Sequence, residues 1–583
     1  MSERESLSKA AKKKRKASKN KTLFYKRWSF YFVLLIIFVL VMHGTTEWLI
    51  TIEQPSEGWS IGYKALEGLP TDERLISVSE STDGNSYIVA YKTSTSIVIT
   101  SLNLYGKVQA EAKLSLSNGP ILAGKLKLVK VAPAKDTNYL YYGDRVSLYR
   151  VAFDASLKNI EAPILVSEHA EQFDVDGEYV IAGDDTLTQV FREDQMIREI
   201  DGYDNLKSLV ICSDDETVYA GVNTDKEGML YQVNSITGAQ QESVVMNQND
   251  QRFYGYFKDI KPTESSVTII TSLFDHLNPG APSVLGVWQY NRSSLDQENF
   301  TLFYHVRTSL EPILTHIEGD QVSYILGVQQ TLDNVSKGLS RYPQVKGGIY
   351  TNISYFSRQG DTLTENTRLT LTRKYPIAYY YFENEGINQL IWIDKESNGG
   401  VLMMAGNTPD WIQFAKANQP IDLVKLSGYT LVALANTVFL GLVSFLISLS
   451  DYNIWIFVTL IAIVLFRKFA RLDQNKKDVI TQYILMGMVL VIGVVMVAAP
   501  DSAFRLYQQI YPWFFGSTVA LIAIPSTIGL VALGLYYLWK KEHYYYTNWF
   551  LHFSFFLGMY LFFYMFVIMS FFVSAMMKSH LMM

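Results

Sequence analysis

The chain of 583 residues has one cysteine, Cys212. A single thiol cannot pair within the chain, so no internal disulfide framework exists. A large extracytoplasmic domain without disulfides is unusual for an animal secreted protein and fits a bacterial envelope. The eight histidines are scattered, and none sits in an H-x-x-x-H pair or beside the cysteine. That leaves no zinc motif. A nucleophile elbow, a phosphate loop and a dinucleotide fingerprint are all missing. "DVDG" (Asp174 to Gly177) opens like a calcium loop, but Glu178 follows and the twelve-residue pattern fails. It reads as a β-turn, because Asp-Gly supplies the positive φ that tight turns need. No catalytic, cofactor or metal residue is therefore assigned, and no cofactor is expected.

Charge is also missing where ion coupling would need it. From 426 to 577 the sequence is nearly all apolar, broken by short polar loops, and no apolar block has Asp, Glu, Lys or Arg in its core. Intramembrane charges mark ion paths and proton relays, so their absence counts against a pump or an ion-coupled transporter.

What is present begins with charge of one sign. Eleven Lys and Arg against two Glu occupy residues 1–27, including Lys12 to Lys16. An apolar run follows, with Trp28 and Trp48 bracketing it. Twenty helical positions span about 30 Å, the hydrocarbon thickness, and Trp favours both interfaces. The exit "MHGTTEWLI" has no small-residue cleavage pattern, so residues 28–49 read as a retained anchor. The positive-inside rule puts the tail in the cytoplasm, where it attracts anionic lipid. The anchor accounts for the charge, so nucleic acid is not an expected partner.

Residues 54–420 carry short β-prone runs bounded by Asp, Gly, Asn and Ser. Turn clusters recur near Asp83, Asp136, Asp176, Asp214, Glu264, Asp320 and Glu385. A period of about 40–50 residues of strand and turn points to a β-propeller with four-stranded blades. Seven clusters predict about seven blades, within a range of six to eight. "IVITSLNLYGKVQAE" (Ile97 to Glu111) and "ETVYAGVNTDKEGMLYQVNSITGAQQE" (Glu216 to Glu242) resemble the quinoprotein-like propeller repeat. They share its strand followed by a turn ending in x-Gly, at Tyr105-Gly106 and Thr237-Gly238. Ala239 and Gln240 stand where the repeat usually has an aromatic, so the resemblance implies the fold and not the cofactor chemistry.

Two connections are enlarged, "SLFDHLNPGAPSVL" (Ser272 to Leu285) and "QTLDNVSKGLSRYPQVKGGIYTN" (Gln330 to Asn352). Long loops in compact domains often carry function. The candidate binding residues are therefore Asp275, His276, Asn278, Lys337, Arg341, Tyr342 and Lys346. "AYYYF" reads as a packed strand, with Tyr379, Tyr380 and Tyr381 alternating between two blade faces.

Five apolar helices are expected at 426–449, 453–466, 483–499, 514–539 and 549–577, followed by a tail at 578–583. Ala433, Thr437, Gly441, Ser444 and Ser448 place small residues on one helix face, as close helix packing requires. With the anchor, six crossings would put the five basic residues of Arg467 to Lys477 and the two of Lys540 to His543 on the wrong side. Five crossings would repair this, if 426–466 crosses once. Six are expected because both halves of that stretch are apolar enough to cross.

The sequence thus predicts an all-β propeller plus an α-helical transmembrane bundle in a bacterial plasma membrane. The protein is multi-pass, with a cytoplasmic N-terminus and an extracytoplasmic propeller. The expected role is a binding, scaffolding or sensing module with an envelope protein partner. A propeller-based enzyme, quinoprotein-like or hydrolytic, and a transporter component are the alternatives.

Overall fold

The computed structural model describes residues 32–46, 48, 54–418, 423–498, 518–542 and 549–578. Within 54–418 it omits 118, 202–203, 215, 248–252, 276, 278–283, 304–311, 319–320, 330–350, 360–361, 371–374, 385–386 and 397, and in the long helix it omits the side chains of 425, 443–460 and 462. The chain forms two units, one of Ile52–Pro420 and one of Met1–Thr51 with Ile421–Met583.

The first unit is a ring of seven antiparallel four-stranded sheets. Blade 1 holds β2 (Ile76–Glu80), β3 (Ser86–Lys92), β4 (Ser96–Asn103) and β5 (Val108–Ser115). Blade 2 holds β6 (Leu128–Ala134), β7 (Thr137–Gly143), β8 (Leu148–Phe153) and β9 (Ile164–Ser167). Blade 3 is β10 (Gln172–Asp176), β11 (Tyr179–Gly183), β12 (Leu187–Arg192) and β13 (Gln195–Asp201). Blade 4 is β14 (Leu206–Asp214), β15 (Thr217–Thr224), β16 (Glu227–Asn234) and β17 (Gln240–Asn247). Blade 5 runs through β18 (Phe253–Pro262), β19 (Ser266–Asp275), β20 (Val284–Asn291) and β21 (Gln297–Phe303). Blade 6 runs through β22 (Ile313–Glu318), β23 (Gln321–Gln329), β24 (Thr351–Gln359) and β25 (Thr362–Arg368). Blade 7 takes β26 (Tyr375–Asn384), β27 (Ile387–Glu396) and β28 (Gly399–Gly406) from its own end of the chain, and β1 (Tyr63–Leu69) as its outer strand. The N-terminal strand therefore closes the ring.

Each of the seven turn clusters read from the sequence lies between the first and second strands of one blade. The seven-blade reading holds for this reason: each blade needs that tight hairpin once, and Asp, Asn or Gly mark it in six blades while Thr263, Glu264 and Ser265 form it in blade 5. The inner strands are buried on both faces, so they read as continuous apolar runs rather than alternating ones. The core is divided accordingly. One apolar cluster lies between blades 1 and 2 (Ile88, Ile99, Leu140, Val151). Others fill each following gap, round to blades 7 and 1 (Ile391, Met404, Val78, Val89).

Tyr105-Gly106 and Thr237-Gly238 occupy equivalent places, the turns between third and fourth strands of blades 1 and 4. Both glycines have positive φ, 75° and 66°. A Cβ on Gly106 would lie 2.8 Å from Met404 Sδ and 3.0 Å from Ala65 Cβ. Gly106→Val should lower the stability of the ring by about 1–3 kcal/mol, from backbone strain and overpacking together. A thermal melt unchanged from wild type would refute that account.

The second unit is helical. It holds α1 (Phe32–Thr46), α3 (Leu423–Phe469), α4 (Gln474–Ala498), α5 (Thr518–Glu542) and α6 (Trp549–Lys578), while α2 (Pro409–Asn418) belongs to the propeller unit. This corrects the sequence reading in one respect. The helices expected at 426–449 and 453–466 are one continuous helix of 47 residues. "SLSDYN" between them is polar but has no proline or glycine, so nothing removes a backbone donor or frees the chain to turn. Pro525 lies inside α5. By length and composition one described stretch, Leu551–Ser570, can cross a membrane, and Phe32–Thr46 and Leu426–Leu442 are shorter apolar helices.

Candidate functional site

The strand directions give the ring two ends. Turns joining first to second and third to fourth strands lie at one, the hairpin end. Connections from second to third strands, and crossings between blades, lie at the other, the loop end. Strand β28 finishes and β1 begins toward the hairpin end. There Trp411 of α2 packs against Tyr105 and Phe414.

Both enlarged connections are second-to-third links, β19 to β20 and β23 to β24. They belong to neighbouring blades, 5 and 6, and so emerge side by side at the loop end. Asp275 closes β19, half-buried, with Oδ1 accepting from the Leu277 N–H at 2.9 Å. Leu277 is 81% exposed. His276, Asn278, Lys337, Arg341, Tyr342 and Lys346 lie outside the described residues.

The loop end also carries a His169–Asp184 pair, 2.8 Å from Nδ1 to Oδ2. Thr186 Oγ1 stands 3.3 Å from the same Nδ1. A hydrolytic triad needs the nucleophile and the acid on opposite ring nitrogens. Here both approach one nitrogen, so the group holds two loops together. Three hydrogen bonds from Thr186 and Leu187, with that of His169, hold the Asp184 carboxyl below the usual range against the effect of its burial.

Sequence reasoning missed a polar cluster on the innermost strands. Innermost strands leave one edge unpaired, and unpaired strand edges must be covered or satisfied. Here side chains of one innermost strand accept from the backbone of the next. Ser77 Oγ accepts from Val131 N–H at 3.0 Å. Asp174 accepts from Ile211 N–H at 3.1 Å and Asp176 from Ser213 N–H at 2.6 Å. Asp259 accepts from Leu314 N–H at 2.7 Å. Lys130 completes an ion pair with Asp174 at 2.8 Å. Asp174 and Asp176 are two residues apart and share a strand face. That spacing was the available signal, hidden because "DVDG" is also a turn.

Burial pushes the Asp259 carboxyl up to about 7, with Asp174 adding repulsion; the Leu314 and Ile260 amides and Lys261 oppose it. Protein surrounds Asp259 on all sides, yet its side chain keeps partial solvent access. Cys212 stands in the same neighbourhood, its thiol pushed up by burial and by Asp176. Among the described residues no three His, Cys, Asp or Glu side chains gather to hold a metal ion. The axial acids are spent on backbone donors, which makes them stitching rather than ligating groups.

Tyr379, Tyr380 and Tyr381 of β26 are engaged on both faces. Tyr379 OH donates to Ile325 O at 2.8 Å in blade 6, and Tyr380 OH donates to Ile76 O at 3.2 Å in blade 1. In the helical unit Ala433 and Thr437 are buried, and Gly441 faces the Phe566 ring. The side chains of Ser444 and Ser448 lie outside the described residues.

The fold defines a class, a seven-bladed β-propeller joined in one chain to a helical unit. No protein-family model matches the chain, and no curated protein matches it in sequence. Among solved structures it is similar to the WD40 domain of Toxoplasma gondii coronin, with 10% identity and TM-score 0.38, over 60% of this chain and 84% of that one. It is also similar to the Cps50 (Swd1) β-propeller domain of Myceliophteria thermophila, with 8% identity and TM-score 0.37, over 59% and 99%. Kuenenia stuttgartiensis hydrazine synthase matches with 12% identity and TM-score 0.39, over 57% and 95%.

Proposed function

We propose that the chain is an integral plasma-membrane protein that presents its propeller outside the cytoplasm, as a binding or scaffolding module for an envelope protein. The observation that carries the binding role is that the two longest second-to-third-strand connections fall on neighbouring blades at one end of the ring. Rigid strands that position long adjacent loops are a common platform for recognition. The membrane placement rests on the helical unit's surface. Phe32, Ile37, Val41, Leu431, Phe439 and Leu442 are large, apolar and exposed. A soluble unit rarely leaves so much apolar surface in water, whereas lipid solvates it.

The test is cross-linked pull-down from native membranes, with residues 330–350 replaced by a short Gly/Ser linker. Loop length changes stability only weakly, so the variant should fold. The expected result is loss of at least one partner that the wild type retains. Retention of every partner would remove the loop from the binding surface.

A further inference from the structure

The directions of the helices are fixed by contacts at both ends of the helical unit. His43, three residues before the end of α1, is fully buried. Its Nε2 lies 2.7 Å from Thr437 Oγ1 of α3, and its Nδ1 lies 3.0 Å from Ser574 Oγ of α6. Ala433 packs on Val573, and a Cβ on Gly441 would lie 3.5 Å from the Phe566 ring. Positions rise along α3 as they fall along α6, so these helices are antiparallel. Leu35 and Val39, earlier in α1, join the apolar core with Ile463, Met486 and Tyr560. Hence α1 runs parallel to α6, with the two C-terminal ends together at the level of His43.

The opposite end is pinned as well. The Tyr536 hydroxyl lies 3.2 Å from His552 Nδ1, and Trp539 stacks on Phe555 with centroids 4.3 Å apart. The end of α5 therefore lies beside the start of α6. Arg467 pairs with Asp478, and Lys477 Nζ donates to Arg467 O at 2.9 Å, so the end of α3 lies beside the start of α4. From His552 to Ser574 is about 33 Å of helix, close to the hydrocarbon thickness.

The chain leaves α1 for the propeller and returns from it into α3. The end holding His43 is therefore the end at which the chain leaves the helical unit for residues 52–420 and re-enters it. Four helices follow the propeller, and the last finishes at that same end. That requires an even number of crossings, with α3 crossing once.

We infer that the helical unit crosses the membrane five times, with the C-terminus on the propeller's side. The basic residues 467–477 and 540–541 then lie on the cytoplasmic side, as a surface for anionic lipid headgroups of that leaflet. Charge supports this independently of the helix contacts. Six crossings strand two basic loops on the far side, whereas five gather every basic cluster of the tail and helix loops on the side that the positive-inside rule favours. The inference rests on the membrane placement proposed above.

The test uses full-length protein with Cys212→Ala, carrying either Arg471→Cys or Ser579→Cys. A membrane-impermeant maleimide should label Ser579→Cys in intact cells, and Arg471→Cys only after permeabilisation. Labelling of Arg471→Cys in intact cells would overturn the five-crossing topology. Release of the protein by alkaline carbonate would instead overturn the membrane placement, which keeps the two failures distinct. For the lipid surface, the variant with Arg471, Lys476, Lys540 and Lys541 changed to Gln should purify in mild detergent with a several-fold lower ratio of anionic to zwitterionic lipid. An unchanged ratio would overturn the lipid contact.

Discussion

Replacing Trp411 with alanine should destabilise the ring by about 3–5 kcal/mol, the range for truncating a fully buried aromatic. Trp411 is 2% exposed and belongs to the apolar cluster between blades 7 and 1. Its ring meets Phe414 edge-on at 5.6 Å and Tyr105 at 5.7 Å. Gly406 makes room for it, since a Cβ there would lie 2.9 Å from the indole. The cluster joins β1, from the start of the unit, to β28 near its end. A cavity at this place therefore loosens the closure of the whole circle rather than one blade. Pulse proteolysis across a urea series measures the loss. A change below about 1 kcal/mol would make α2 an appendage rather than part of the closure.

The propeller should lose stability as pH rises from about 4 to about 7, and Asp259→Asn should flatten that slope. The sign follows from the Asp259 carboxyl, whose value rises from 3.8 to about 7 on folding. A raised acid favours the folded state when neutral. Its contribution is full below the unfolded value and is lost as pH climbs through the folded one. Each pH unit corresponds to about 1.4 kcal/mol, so the effect is at most about 4 kcal/mol. Partial solvent access and the facing Lys261 reduce it. Carboxyls held low in the fold, such as Asp184 and Asp72, act in the opposite sense and below pH 4. Urea midpoints at pH 3, 4.5, 6 and 7.5 separate the two windows. A slope that Asp259→Asn leaves intact would sink the assignment.

Parts of the architecture were legible because they depend on local chemistry. A tight hairpin favours small polar residues at its turn, and seven such clusters mark seven blades. The axial stitching was not legible, because Asp174 meets Ile211 only when two blades stand side by side. The same limit applied to His43, a lone histidine in the sequence whose partners lie 394 and 531 residues away. The break expected near Asp451 failed for a related reason. A polar patch is compatible with continued helix when no residue forbids it.

Composition and turn chemistry by themselves determined a β-propeller followed by apolar helices, and a charge asymmetry toward the N-terminus. Only the tertiary structure decided how the ring closes and that both long loops share one end. It also decided which helices run parallel. Those facts arise from pairings between distant segments, whose register is set by packing and is written in no single stretch of the chain.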